Sequence, residues 1–298
     1  MIKKEHNIQV QMFRVKGDIA PFIEVAFMDK YAQEHTGLLL LDSGSTTNIL
    51  SCEMSSCIGE RWKLEDESAT ISSIAPEDIN ADIVKLSFAL GGRLFHETFS
   101  LSTKPLPIKI MDKTVLGLVG VGFMQKYSLV IDYGDFTLHT SQVNHSNLSI
   151  SDCDFFFPME IGLKHYSLPV ISVKQKGKDH VTLIDTGSTS NMIAEQTLID
   201  SEFECQRLDG NDVMIGITGE VNVKKAIVRF IMLSLQGDDI CKLTRYEHFM
   251  LLPCNVYSVK EGEDNQLPPI ELLLGSSFMA NEGWVLDFGA KIIYKKKI

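Results

Sequence analysis

The chain lacks the features that would carry it into a membrane, onto a nucleic acid or around a metal. No apolar stretch approaches the length of a bilayer span, and Lys3 and Lys4 are followed by no continuous apolar segment of the kind an export signal needs. The expectation is a soluble, cytoplasmic chain with no membrane partner. Its six cysteines (Cys52, Cys57, Cys153, Cys205, Cys241, Cys254) form no C-x-x-C pair and have no histidine at zinc spacing, so neither metal nor other cofactor is expected. Cys52 and Cys57 are near enough in sequence to bridge a loop, but buried free thiols fit a chain without an export signal better. Basic residues are few: 28 Lys and Arg face 39 Asp and Glu, and the only basic run is Lys295, Lys296, Lys297. A net charge of −11 makes nucleic acid a poor partner. The eight histidines, among them His35, His96 and His165, form no ligand-spaced cluster.

Extended helical periodicity is scarce as well. Short β-branched or alternating runs dominate, at Ile8 to Val15, Phe22 to Phe27, Val84 to Leu90, Val170 to Val173 and Ala226 to Leu235. Short helices are expected around 51–57, 123–126, 194–201 and 278–281.

What the chain does have is an internal repeat. Leu38-Leu-Leu-Leu-Asp42-Ser-Gly-Ser-Thr-Thr-Asn-Ile-Leu50 matches Val181-Thr-Leu-Ile-Asp185-Thr-Gly-Ser-Thr-Ser-Asn-Met-Ile193 in register. A second pair closes each half: Leu118-Val-Gly120-Val-Gly-Phe123-Met124 against Leu273-Leu-Gly275-Ser-Ser-Phe278-Met279, each followed at equal distance by an aspartate, Asp132 or Asp287. Between Asp185 and Gly275 the second half is twelve residues longer than the first between Asp42 and Gly120, and the polar, proline-bearing run 261–269 is the expected site of most of the insertion. The Ser- and Asn-rich stretch 141–154 reads as the linker. The expected architecture is mainly β with two similar lobes, residues 1–145 and 155–298.

Each Asp-Ser/Thr-Gly-Ser tetrad follows an apolar strand, so its aspartate sits where a buried strand ends in a tight turn, with Gly44 and Gly187 supplying backbone freedom. If the lobes pack about a pseudo-twofold axis, Asp42 and Asp185 meet. Two carboxylates at close range cannot both ionise, so one becomes a base and the other an acid, an arrangement suited to peptide-bond hydrolysis by an activated water. Asp132 and Asp287 read as turn residues that end strands. Gly120 and Gly275 read as packing devices that permit close backbone approach.

The doubled tetrad, each with its downstream apolar-apolar-Gly, resembles the aspartic protease superfamily of retropepsins and pepsins over nearly the whole chain. The resemblance implies a bilobal acid-protease fold of two β-barrel-like lobes and a single-chain, monomeric endopeptidase acting on a polypeptide. It implies that Asp42 and Asp185 are the catalytic dyad, that the Ser43 and Thr186 hydroxyls brace it across the axis, and that Gly44 and Gly187 allow the turn. Ser45 and Ser188 match a position whose hydroxyl can bond the aspartates and favour their charged form, which implies an acid-leaning pH optimum. Two hairpin flaps are expected, one at Ile71, Ser72, Ser73, Ile74 and Ala75, the other at Ile215, Gly216, Ile217, Thr218 and Gly219. Two flaps without a tyrosine, on halves shorter than a pepsin lobe, favour the tandem retropepsin plan.

Two other readings share these motifs. A peptide-binding module of the same fold would hold extended chain without cutting it. An actin-like or sugar-kinase-like phosphotransferase also carries two Asp-x-Gly-Ser/Thr loops, but those loops open each lobe, and here about forty residues precede Asp42.

Overall fold

The computed structural model describes residues 8–15, 18–59, 62–71, 78–106, 110, 113–141, 153–161, 167–216, 219–236, 239–253 and 269–297. These residues form a mainly β protein of three sheets.

In the first half, β2 (Phe13–Val15), β3 (Asp18–Met28), β4 (Glu34–Asp42), β5 (Ile49–Leu50), β6 (Lys63–Ile71), β7 (Ile79–Leu90), β8 (Arg93–Ser102) and β9 (Val115–Gly120) make one sheet. Their order is β2-β3-β4-β9-β5-β8-β7-β6, and a further β3–β7 pairing curls the sheet toward a barrel. In the second half, β13 (Val170–Gln175), β14 (Lys178–Asp185), β15 (Asn191–Ala194), β16 (Cys205–Gly216), β17 (Gly219–Gln236), β18 (Asp239–Leu252) and β19 (Leu272–Gly275) run in the order β13-β14-β19-β15-β18-β17-β16, again with an extra pairing, β13–β17. Apart from the added β2, the two orders correspond strand for strand.

The apolar runs before each aspartate are continuous because these strands are covered on both faces. Leu38 to Leu41 are all essentially buried, and β4 pairs in parallel with β9, as β14 does with β19. The hairpin strand β7 instead alternates buried and exposed positions, as a strand with one wet face should.

The third sheet is shared. Strands β1 (Gln9–Gln11), β10 (Leu129–Asp132), β11 (Thr137–Thr140), β12 (Cys153–Pro158), β20 (Val285–Asp287) and β21 (Ile292–Lys296) lie in the order β1-β11-β10-β20-β21-β12. Its centre is the antiparallel pair β10–β20, which joins the halves through Val130↔Asp287 and Asp132↔Val285. Asp132 and Asp287 end their strands and accept the backbone N–H of Asp135 and Ala290 in the turns that follow. Both also tie the halves, Asp132 through Lys296 at 2.5 Å and Asp287 through the Ser141 hydroxyl at 2.7 Å. Trp284 is fully buried beneath this sheet, edge-on to Phe278 and Phe155.

Helices are short punctuation. A 3-10 turn at Cys52–Ser56 is capped by Ser51, and the α-helices are α1 (Val121–Lys126), α2 (Glu195–Asp200) and α3 (Ser276–Glu282). None of the described helices is long and apolar enough to cross a membrane.

Four expectations change. The run from Ile8 to Val15 is not one strand: β1 joins the shared sheet and β2 the first-half sheet. The linker is shorter, since Cys153 and Asp154 already belong to β12; residues 142–152 lie outside the described part. Most of the twelve-residue insertion is in the β17–β18 hairpin. Ile83 pairs with Ser100 and Lys225 with Met250, spans of 17 and 25 residues between matched positions, so this hairpin is longer by eight. Pro269 apart, the run 261–269 lies outside the described residues. Of the five described cysteines only Cys153 is buried, and Cys205 is exposed.

Gly117 shows how tightly β9 is fitted. A Cβ there would run into the Ile49 carbonyl and approach the Leu50 Cα to 2.9 Å, whereas at Gly122 the nearest atom is 3.8 Å away. Gly117→Ala should therefore destabilise the fold by about 3 kcal/mol, and Gly122→Ala should be nearly neutral. Chemical denaturation distinguishes them; equal midpoints for the two variants would contradict the packing.

Candidate active site

Strands β4 and β14 each end on an aspartate, and each aspartate lies beside the terminal glycine of its parallel neighbour, Asp42 by Gly120 and Asp185 by Gly275. The two loops that follow face one another. Ser43 N–H donates to Thr186 Oγ1 and Thr186 N–H donates to Ser43 Oγ, both at 2.9 Å. The Ser43 hydroxyl donates in turn to the Ile184 carbonyl, and the Thr186 hydroxyl to the Leu41 carbonyl, both at 2.6 Å. Four buried bonds thus cross between segments 143 residues apart, and neither Ser43 nor Thr186 touches solvent. Buried polar groups left unpaired are costly, so this cross-brace fixes the relative position of the two strand ends.

The brace sets the two acids side by side, the Asp185 carboxyl against Gly44 and the Asp42 carboxyl against Gly187. Gly44 N–H donates to Asp42 Oδ1 and Gly187 N–H to Asp185 Oδ1, each at 2.9 Å, and Ser188 N–H reaches Asp185 Oδ1 at 3.2 Å. Gly44 and Gly187 are needed for a reason other than backbone freedom. Neither has a positive φ; instead, a Cβ on Gly44 would overlap the Asp185 carboxyl, and one on Gly187 the Asp42 carboxyl. Each glycine vacates the space that the opposite acid occupies.

Asp42 is 9% exposed and Asp185 half-buried. Burial pushes both carboxyls above their usual range, and the adjacent charge of Asp185 pushes Asp42 well above it. The hydroxyls of Ser45 and Ser188 do not counter this. They donate to the Thr47 and Ser190 carbonyls, at 2.8 and 2.9 Å, closing their own turns and leaving the aspartates to backbone donors. The acid-leaning expectation built on those hydroxyls loses its support.

No family model matches the chain, and no curated protein matches it.

The expected flaps fall at the tips of two hairpins. Ile71 ends β6 opposite Ile79, buried in an apolar cluster with Ile49, Leu40 and Leu118; Ser72, Ser73, Ile74 and Ala75 lie outside the described residues. Ile215 and Gly216 end β16, and Gly216 pairs with Gly219 at the start of β17; Ile217 and Thr218 lie outside the described residues. Ile215 is exposed while Met214 beside it is buried. Among the described residues no cluster of His, Cys, Asp and Glu could hold a metal. His35 and His96 make local pairs, with Asp29 and Ser87, and His165 lies outside the described residues.

Asn48 and Asn191 coincide in the repeat, but nothing in the sequence gives them a role. Asn48 Oδ1 accepts the Gly120 N–H at 2.9 Å, and Asn191 Oδ1 accepts the Gly275 N–H at 3.0 Å. Their coincidence in the aligned repeat was the only signal available.

Raised carboxyls carry a stability consequence with a definite sign. The pair's contribution is fully present below the unfolded carboxylate pKa of about 3.9 and is lost as pH rises through the raised folded values. Asp185→Asn removes one of the two charges, so its unfolding midpoint should match wild type near pH 3 and exceed it increasingly toward pH 7. A variant that loses stability relative to wild type as pH rises would mean the carboxyls are stabilised as anions.

Proposed function

We propose that this chain is an aspartic endopeptidase with a bilobal, pseudo-twofold fold of the tandem retropepsin type, in which Asp42 and Asp185 form one acid–base pair. The observation that supports it most is the pair of adjacent carboxyls at the ends of two corresponding strands, each against the opposite half's glycine and cross-braced by Ser43 and Thr186. The matched strand orders and the shared six-stranded sheet support the bilobal reading. The shortness of the described helices favours it over a phosphotransferase built on long ones.

In the proposed reaction the pair begins with one shared proton. The ionised aspartate takes a proton from a water as its oxygen bonds to the peptide carbonyl carbon, and the protonated aspartate stabilises the carbonyl oxygen. Collapse of the tetrahedral intermediate breaks the C–N bond, a proton passes to the leaving nitrogen, and the singly protonated pair is restored. Dryness around the carboxyls makes sharing a proton preferable to two charges. The β6–β7 and β16–β17 hairpins would close over an extended polypeptide, whose backbone would pair as an added strand.

Cleavage of a diverse peptide library across pH 3 to 8, with pepstatin as inhibitor, tests this. Asp42→Asn and Asp185→Asn should each cut the rate at least about a thousandfold without loss of fold, and the wild-type profile should be bell-shaped with both limbs belonging to the pair. Full turnover in either variant would refute the dyad. Binding without cleavage by the wild-type chain would replace the enzyme with a peptide-binding module.

A further inference from the structure

We propose that Asn48 and Asn191 are positioning residues for the aspartate pair, each a two-sided amide strut that sets where its loop holds its carboxyl. The kinetic part of this rests on the protease reading; the structural part does not.

Each amide works in both directions. Asn48 accepts from the Gly120 N–H and its Nδ2 donates to the Thr98 carbonyl at 3.1 Å; Asn191 accepts from the Gly275 N–H and donates to the His248 carbonyl at 3.2 Å. A side-chain amide supplies one acceptor and one donor on a single planar group, which neither a carboxylate nor a lysine can do. The four bonds agree between halves to within 0.1 Å although the surroundings differ: Ile49 and Thr98 in one, Met192 and His248 in the other. The duplication has kept the amide and let its neighbours diverge.

The strut is joined to the chemistry through the glycines. Gly120 and Gly275 are the register partners of Asp42 and Asp185. A Cβ on Gly120 would strike the Ser45 and Thr47 carbonyls, and one on Gly275 those of Ser188 and Ser190, so glycine and loop are in direct contact. The next N–H groups, of Val121 and Ser276, donate to the Ser45 and Ser188 carbonyls at 2.8 and 2.7 Å. A continuous path therefore runs from β8 or β18 through the amide and the glycine to the loop that delivers backbone N–H groups to the aspartate. In the second half that loop gives Asp185 two such donors, from Gly187 and Ser188, and Asn191 is 7% exposed. Losing this amide should withdraw donors from the ionised carboxylate.

The test is a substrate-free titration of aspartate carboxyls by 13C NMR, with cleavage kinetics in parallel, on Asn191→Ala, the milder Asn48→Ala, Asn191→Asp, and Ser234→Ala as control. Ser234 accepts the Phe156 N–H in a buried site on β17 away from the pair, so its loss weakens the fold alone. The expected result for Asn191→Ala is an upward shift of the pair's lower titration step and a roughly ten- to hundredfold fall in kcat with KM little changed. Asn48→Ala should show the same changes more weakly. Asn191→Asp should return toward wild type as pH falls and its own carboxyl, once protonated, can again donate to His248. If the Asn variants lose thermal stability as Ser234→Ala does but leave the pair's titration and kcat unchanged, the amides are structural only and the proposal fails. If the wild-type chain cleaves nothing, the protease reading fails by itself, and the titration alone decides the strut: a shift sustains it, no shift ends it.

Discussion

Two carboxyl groups held in contact away from bulk water repel each other once both ionise, and the protein must hold them there regardless. The means is the exchange of bonds between Ser43 and Thr186, in which each residue's N–H and hydroxyl are answered from the other half. Everything else serves that junction. The parallel pairs β4–β9 and β14–β19 bring the strand ends to it, the shared sheet keeps the halves in register behind it, and glycines at 44 and 187 leave room for the opposing acids.

The duplication explains why the site is so nearly reciprocal, and also where it departs from reciprocity. The first half adds β2; the second lengthens the β17–β18 hairpin, whose Ser234 reaches the Phe156 backbone of β12. The segments from Asp to Asn and the terminal glycines, which carry the carboxyls and their supports, kept the Ser43–Thr186 brace, the Gly44 and Gly187 donors and the asparagine bonds, while the Ser188 N–H bonds the Asp185 carboxyl and the Ser45 N–H the Asp42 backbone carbonyl. Where the halves differ electrostatically is in exposure, with Asp42 the drier of the two.

Much of this was legible in the residues. Strand content followed from short alternating and β-branched runs, the doubled Asp-Ser/Thr-Gly-Ser marked the two strand ends, and the short helices fell within a few residues of their expected places. What could not be read was anything that depends on a partner remote in sequence. Gly44 looked like a turn residue because its neighbour across the junction, Asp185, is 141 positions away. The hydroxyls of Ser45 and Ser188 were assigned to the aspartates, but an adjacent turn carbonyl is closer and costs no reach. The insertion was placed in a proline-bearing run because such runs signal loops, whereas a lengthened antiparallel hairpin leaves no compositional mark; only the register reveals it. Asn48 and Asn191 matched in the repeat, yet their use depends on the carbonyls of Thr98 and His248, which sequence alone does not bring near.

The most direct measurement is the titration of the Asp42 and Asp185 carboxyls in the wild-type chain, followed by 13C NMR with each signal assigned from its Asn variant. Two separated steps belonging to the pair are expected, with one proton retained well above the ordinary carboxylate range. Two superimposed, independent titrations in that ordinary range would mean that the acids do not share a proton and that no acid–base pair exists.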